Sequence, residues 1–311
     1  MQFSVFQQSR QGGRKCNEDR MGYCYTRDSA VLMLADGLGG HPEGEVAAHL
    51  AVAAVANMFQ KMAQPKLADM DGFLENAMMA AHYQILNYAV DKAMRDSPRT
   101  TLVMAVIQSG HVIWAHCGDS RLYLVRQHQL LARTRDHTFA ERRSPKRDNA
   151  PAAPVELNRN VLFSCLGSPG KPIYSVSEPV ALKQGDKLLL CSDGLWSSLA
   201  EHDIVNQLSQ KSVEDAVPDL VGQALKHAGK SSDNVTCLAF DWQMPDTVAA
   251  GQGAASTQAT TMGHFASTAP SKWHDGTPPA PDKIEEPPID SPIPTANAAN
   301  FSDSEAKTDA P

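Results

Sequence analysis

Four aspartates sit in short turn-forming settings beside apolar runs: Asp19 in Asn17-Glu18-Asp19, Asp36 in Asp36-Gly37-Leu38-Gly39-Gly40, Asp193 in Ser192-Asp193-Gly194 and Asp233 in Ser232-Asp233-Asn234. Carboxylates at strand ends are what a hard divalent cation needs. Magnesium and manganese take oxygen ligands in near-octahedral geometry and keep several waters. Water made hydroxide-like by such a cation can hydrolyse a phosphate ester at neutral pH. The set points to a metal-dependent hydrolase. A single Asp-Gly pair is most often only a turn, so the joint pattern carries the reading. Asp36, Asp193 and Asp233 each adjoin a hydrophobic run, and folding can bring those strand ends together around a cation. Without one, converging carboxylates repel and raise each other's pKa. Gly37 offers a backbone carbonyl as a further ligand, with no side chain to block the approach.

The elements that must position these residues are legible in outline. Ala30 to Ala35 is a continuous apolar run ending in Asp-Gly, which predicts a buried strand. Glu43 to Met62 is Ala-rich and predicts a helix; Phe73 to Met94 predicts another, with Phe73, Ala77, Ala80, Ala81, Ile85 and Tyr88 at helical spacing. Strands are expected at Thr101 to Gln108, His111 to His116 and Leu122 to Val125, with turns at Ser109-Gly110 and Gly118-Asp119. Leu188 to Cys191 and Val235 to Phe240 predict two more, each adjoining an aspartate. Glu201 to Leu208 and Val213 to His227 read as helices. Sheets packed together with helices outside are the expected architecture.

The chain has 311 residues, 42% hydrophobic and 20% charged, enough for one large core or two small ones. No run approaches the roughly 18 apolar residues of a membrane helix, and Met1 to Phe6 is too short and polar for a signal peptide. The net charge of −7 argues against nucleic acid as the main partner. Six scattered cysteines (Cys16, Cys24, Cys117, Cys165, Cys191, Cys237) form no CxxC pair and read as buried thiols of a reducing cytoplasm. Composition shifts after Trp242. From Met244 to Pro311 lie ten of the twenty prolines, and nine acidic residues face only Lys272, Lys283 and Lys307. Such a stretch cannot bury enough apolar surface to offset chain entropy. The expectation is a folded domain over 1–243 and a disordered Pro/Ala/Thr/Ser-rich acidic tail over 244–311. Within the domain, the polar stretch Arg142 to Asn158 is expected to be a flap.

In order along about residues 3 to 241, the chain resembles the type 2C (PPM) metal-dependent Ser/Thr protein phosphatases, especially bacterial members. The resemblance rests on Arg14-x-x-Asn17-Glu18-Asp19, Asp36-Gly37-x-Gly39-Gly40, Thr100-Thr101, Cys117-Gly118-Asp119-Ser120-Arg121-Leu122-Tyr123, Asp136-His137-Thr138, Asn160-Val161-Leu162 with Leu166-Gly167, Cys191-Ser192-Asp193-Gly194-Leu195-Trp196 and Asp233-Asn234-Val235-Thr236. It implies an α+β fold, a four-layer α/β/β/α sandwich of two antiparallel sheets flanked by helix pairs. It also implies two Mn2+ or Mg2+ ions per active site. Asp36 would bridge both; Asp193 and Asp233 would hold the first; Asp19 and the Gly37 carbonyl would hold the second, with Glu18 acting on its side. A water between the metals would attack phosphorus directly. Arg14 would bind the substrate phosphate, since guanidinium matches phosphate oxygens bidentately. Asp119 would help bind a third, weaker metal.

The chain departs from the family's pattern in three places. Leu38 stands where some members carry a histidine proposed as general acid, so the donor to the leaving alcohol is unassigned. His41 is expected to be a solvated loop residue. Ser197 replaces an aspartate of the third-metal site, and Arg99 replaces a glycine before Thr-Thr with no consequence readable from sequence.

The expected activity is hydrolysis of phosphoserine and phosphothreonine on phosphoproteins, in a cytoplasmic monomer opposing a cognate Ser/Thr kinase. The alternative is a pseudophosphatase that binds phosphoproteins without turnover. Tail threonines (Thr257, Thr260, Thr261, Thr268, Thr277, Thr295, Thr308), once phosphorylated, would suit a forkhead-associated partner; a passive linker is the plainer alternative.

Overall fold

Strands that are apolar at every position need cover on both faces, and this chain supplies it with a second sheet on one side and helices on the other. The structure is a computed structural model that describes residues 1–143 and 161–244. The expected tail, and nearly all of the expected flap, lie outside the described residues. The first half runs β1 (Phe3–Arg10), β2 (Arg20–Tyr25), β3 (Ser29–Ala35), α1 (Gly44–Met62), α2 (Met70–Asp91), β4 (Leu102–Gln108), β5 (His111–Cys117), β6 (Arg121–Arg126) and β7 (Gln129–Arg133). After the short helix α3 (Phe139–Arg143) come β8 (Ser175–Val176), β9 (Val180–Ala181), β10 (Lys187–Cys191), α4 (Asp193–Trp196), α5 (Glu201–Gln210), α6 (Val213–Ala228) and β11 (Val235–Trp242).

Two antiparallel sheets result, one ordered β1-β11-β10-β6-β7 and the other β2-β3-β4-β5-β8, with β9 also on β5. The period-2 alternation of a strand divides each apolar run between two cores. Ala30, Leu32 and Leu34 of β3 join Val103, Ala105, Leu122, Leu124, Leu188, Leu190, Leu238 and Phe240 between the sheets. Val31, Met33 and Ala35 face the other way, against Ala48, Val52, Val55, Phe59, Phe73 and Ile85 of α1 and α2. The first sheet's outer face (Tyr123, Leu189, Cys191, Cys237, Ala239) packs on Ile204, Leu208, Val217, Leu220 and Ala224 of α5 and α6. Each fully buried large apolar side chain contributes about 1.5–3 kcal/mol. The layers are helix, sheet, sheet, helix, as expected.

Some boundaries differ from the expectation. Helix α2 starts at Met70 because the Asp69 carboxylate caps it, accepting from Gly72 N at 3.1 Å. It ends at Asp91, before Ala93 turns at φ 49°. Strands β1 and β2 were not anticipated; β1 is an edge strand of half-buried residues, and β2 carries Gly22, a weak strand former, at its middle. Five cysteines are buried, but Cys16 is exposed, contrary to the expectation for all six.

Candidate active site

The ladders fix which chain ends meet. Leu34 pairs with Val103 and Leu102 with Cys117, while Arg10 pairs with Val235 and Cys191 with both Arg121 and Cys237. Asp19, Asp36, Asp119, Asp193 and Asp233 all follow from these registers at one end of the sandwich. There they adjoin a pocket of about 800 Å³ lined by Arg14, Glu18, Asp36, Gly37, Asp119, Asp193 and Asp233 among others.

Asp36 leaves β3 at the pocket floor, and its backbone is clamped from β4. Thr101 N and Thr100 Oγ1 both donate to Asp36 O at 2.8 Å, and Asp36 N donates to Thr101 Oγ1 at 3.0 Å. The Thr100-Thr101 pair therefore fixes where that carboxylate stands. A Cβ on Gly37 would sit 2.4 Å from the Gly44 carbonyl and 2.9 Å from Glu18 Cβ, so the start of α1 and the Glu18 segment close on it. Packing on α1 demands glycine here, a reason the sequence did not disclose.

The segment after β1 reaches the site by crossing closely over the loop before β11. Gly12 has φ +64°, and a Cβ there would meet the Asp233 carbonyl at 2.1 Å. The crossing carries Arg14 onto Asp233, with which its half-exposed guanidinium forms an ion pair. Asn234 stitches the same segments. Its Nδ2 donates to Gln11 O (2.8 Å) and Cys16 O (2.9 Å), and its Oδ1 accepts from Glu18 N at 2.8 Å.

Asp193 begins α4 directly after β10, and Gly194 beside it has no room for a side chain, because a Cβ would meet the Asn234 carbonyl at 2.1 Å. Asp119 lies in the turn between β5 and β6. Its carbonyl accepts from Trp196 Nε1 at 2.9 Å, and Arg121 stacks 3.6 Å over the Trp196 ring. Arg121 in turn grips Asp136 through two bonds of 2.8 and 2.7 Å. The neighbouring His137 N donates to Gly118 O at 2.9 Å. Asp136-His137 thus braces the Asp119 turn. Ser197 is exposed at the end of α4.

The electrostatics describe a site short of positive charge. Burial, then the charges of Asp19, Asp193, Asp119 and Asp233, pushes Asp36 well above the usual carboxylate range, although it opens partly to the pocket. Burial and the other aspartates raise Asp193 to about 8. Burial raises Asp119 to about 6, with Asp136 adding to it. Asp19 is wholly buried and also raised, to about 6. Its Oδ2 accepts from Ser192 Oγ at 2.8 Å, while Oδ1 has no hydrogen-bond partner. A buried acceptor without a donor is costly. These clustered carboxyls, one oxygen orphaned and several raised by burial and by each other, are the oxygen-rich donor set that a hard divalent cation takes once it displaces their protons. Among the described residues, no three Asp, Glu, His or Cys side chains already form a closed cage; magnesium and manganese do not need one, since waters complete their shells.

Three pocket-side residues gained no role from sequence. His41 is not freely solvated. Its side chain is 25% exposed and lines the pocket, and Nδ1 lies 2.9 Å from Asp96 Oδ2. Arg99 also lines the pocket and donates Nη2 to Asp96 Oδ1 at 3.1 Å. Asp96 was not singled out, and its place before Ser97-Pro98 signals only a turn.

Comparison with known proteins places the chain in a family. Residues 7–227 match the family model described as protein phosphatase 2C. The serine/threonine phosphatase stp of Listeria monocytogenes is 29% identical over 229 residues, covering 72% of this chain and 90% of that protein. The crystal structure of Stp1 from Staphylococcus aureus superposes with a TM-score of 0.69 at 26% identity, over 78% of this chain and 96% of that one. The catalytic domain of the phosphatase PstP, solved in complex with two manganese ions, gives 0.61 at 28% identity, over 77% and 97%.

Proposed function

The chain belongs to the protein phosphatase 2C family and is a metal-dependent Ser/Thr protein phosphatase, and from that premise we propose how its own residues divide the work. Asp36 would be shared between two Mn2+ or Mg2+ ions, Asp193 and Asp233 would help hold one, and Asp19 and the Gly37 carbonyl would help hold the other; Glu18 would act from outside that shell. When bound, the ions supply a nucleophile from water and neutralise phosphoryl charge. The observation that carries this reading is the convergence of Asp36, Asp193 and Asp233 with Arg14 in one pocket, where burial, and then the neighbouring aspartates, raises Asp36 and Asp193.

Arg14 takes the substrate phosphate, moving part of its bonding from Asp233 to the phosphoryl oxygens; its exposure leaves the fork accessible. Asp119, braced by Arg121 and Trp196, would hold a third and weaker ion. Binding without turnover finds no support in the relatives, which are named phosphatases. The substrates are phosphoproteins made by a Ser/Thr kinase of the same cytoplasm, met by a monomer. Among the described residues no helix is long and apolar enough to cross a membrane. The catalytic domain is residues 1–243, and residues 244–311 form a tail whose phosphothreonines dock a forkhead-associated partner.

Purified protein with manganese is expected to release inorganic phosphate from a phosphothreonine peptide. No release, or full activity in Asp36→Asn, would overturn the reading.

A further inference from the structure

Two arginines that line the pocket meet the loop after Asp36. A Cβ added at Gly39 would lie 3.8 Å from Arg14 Nη1, and Leu38 N donates to Arg99 O at 2.9 Å. The two side chains keep different company. Arg14 bonds Asp233 and also feels the charges of Asp193 and Asp36. Arg99 acts elsewhere. With hydrogen bonding from His41, its charge holds the Asp96 carboxyl below the ordinary range, and it partly offsets the burial that raises the Cys165 thiol. The reacting phosphate belongs with the carboxylates, on the Arg14 side, which leaves Arg99 for a different group.

Arg99 is also short of partners. A guanidinium offers five N–H donors in a planar fork. Among the described residues the one acceptor for this fork is Asp96 Oδ1, 3.1 Å from Nη2, and Nε is buried with no partner. A buried donor without an acceptor calls for a reason. Asp96 is half-exposed and gives its other oxygen to His41 Nδ1, at 2.9 Å. An anchoring carboxylate takes the fork with both oxygens, as Asp136 takes Arg121 at 2.8 and 2.7 Å. Arg99 has no such anchor, and 23% of its side chain stays exposed on the pocket wall. The pocket's volume of about 800 Å³ is that of a site for a whole small ligand, more than one phosphorylated side chain fills. Where the family often has glycine before Thr-Thr, this chain thus adds a cation to the rim of the site.

We propose that Arg99 is a specificity-determining residue, binding a second oxyanion that the substrate carries within a few residues of its phosphothreonine: a carboxylate or another phosphate. The inference rests on the phosphatase reading and deepens it by naming a substrate class. Guanidinium stays charged and matches either oxyanion through paired N–H groups. Asp96 orients the fork in the free protein and competes with the incoming oxyanion for it.

The test is a ratio of substrates. The full chain with manganese, at low ionic strength, is assayed on phosphothreonine peptides. These carry glutamine, glutamate or a non-hydrolysable phosphonate analogue of phosphoserine at successive positions on either side. With the charge at one or more of these positions, wild type is expected to show kcat/KM about tenfold above the glutamine peptide, the scale of a hydrogen bond to a charged group. The two charged arms separate the sources: similar gains assign carboxylates, and a gain with the phosphonate alone assigns a second phosphate. Arg99→Ala is expected to bring the charged-to-neutral ratio close to one. Asp96→Asn removes the competing charge and is expected to raise the ratio several-fold, a gain that structural damage does not produce. All peptides see the same folded fraction, so partial unfolding leaves the ratio intact. No preference in wild type, or an undiminished one in Arg99→Ala, would overturn the assignment of Arg99. A wild-type ratio in Asp96→Asn would overturn the competition assigned to Asp96. An inactive wild type would overturn the phosphatase reading and this inference with it; an active wild type indifferent to the added charge overturns this inference alone.

Discussion

At the scale of single residues, the site is a set of acids held where they do not want to be ionised. Asp19 and Asp119 titrate near 6 and Asp193 near 8 in the folded, metal-free chain, against about 4 when unfolded. The folded form keeps protons that the unfolded chain has released. Their contribution to stability is therefore full below about pH 4 and is lost as pH rises through 6 to 8. Calorimetry on chelated protein should show the melting temperature falling from pH 5.5 to pH 8. A rise over that window would refute the account. Manganese at pH 8 should reverse the fall, by about 2.7 kcal/mol at a hundred times its dissociation constant. Arg14→Lys keeps the charge but loses the fork. It should raise KM for the peptide several-fold more than it lowers kcat, the sign of lost binding common to ground and transition states. Asp36→Asn should lower kcat by more than the roughly 10–100-fold typical of an outer partner, because the proposed arrangement makes Asp36 a ligand shared by both ions. Phosphate release under saturating manganese measures both.

At the scale of elements, the acids are held by connections between segments far apart in sequence. Asn234 accepts from Glu18 N and donates to two carbonyls of the loop after β1. Asn234→Ala leaves those groups without partners, which should cost about 1–3 kcal/mol and register as a lower denaturation midpoint. Gly12→Ala should be worse placed still, combining φ +64° with a Cβ 2.1 Å from the Asp233 carbonyl. It should destabilise by at least about 1 kcal/mol and weaken peptide binding by displacing Arg14. The sequence made the strands beside the aspartates legible, because runs such as Ala30 to Ala35 are apolar at every position and end in an Asp-Gly turn. It did not make legible the half-buried edge strand β1, whose residues carry no clean alternation. Four of the aspartates that meet at the pocket, Asp19, Asp36, Asp193 and Asp233, were readable as candidates from type and setting, and Asp119 only from the family resemblance. The Asp96 contact to His41 was not, since it joins residues 55 apart through a loop that looks like any Ser-Pro turn.

At the scale of the molecule, two sheets meet face to face and the site lies where strands of both terminate. Leu190 belongs to the core between the sheets and is fully buried. Leu190→Ala should cost about 2–5 kcal/mol and lower activity only through the folded fraction, which a chevron or melting curve separates from a change in turnover. Removing residues 245–311 should leave kcat and the melting temperature of the remainder where they are, if the catalytic domain is as proposed. Among the described residues the first strand, β1, pairs in its sheet only with the last, β11, and Arg14 meets Asp233 across 219 positions. During synthesis the N-terminal strand must therefore wait on the ribosome, unpaired, until nearly the whole domain has emerged. Contacts of such separation fold slowly and leave an edge exposed meanwhile. A product stopped short of residue 233 lacks both β11, the partner of β1 and β10, and Asp233, a proposed metal ligand, so premature termination should yield an inactive fragment.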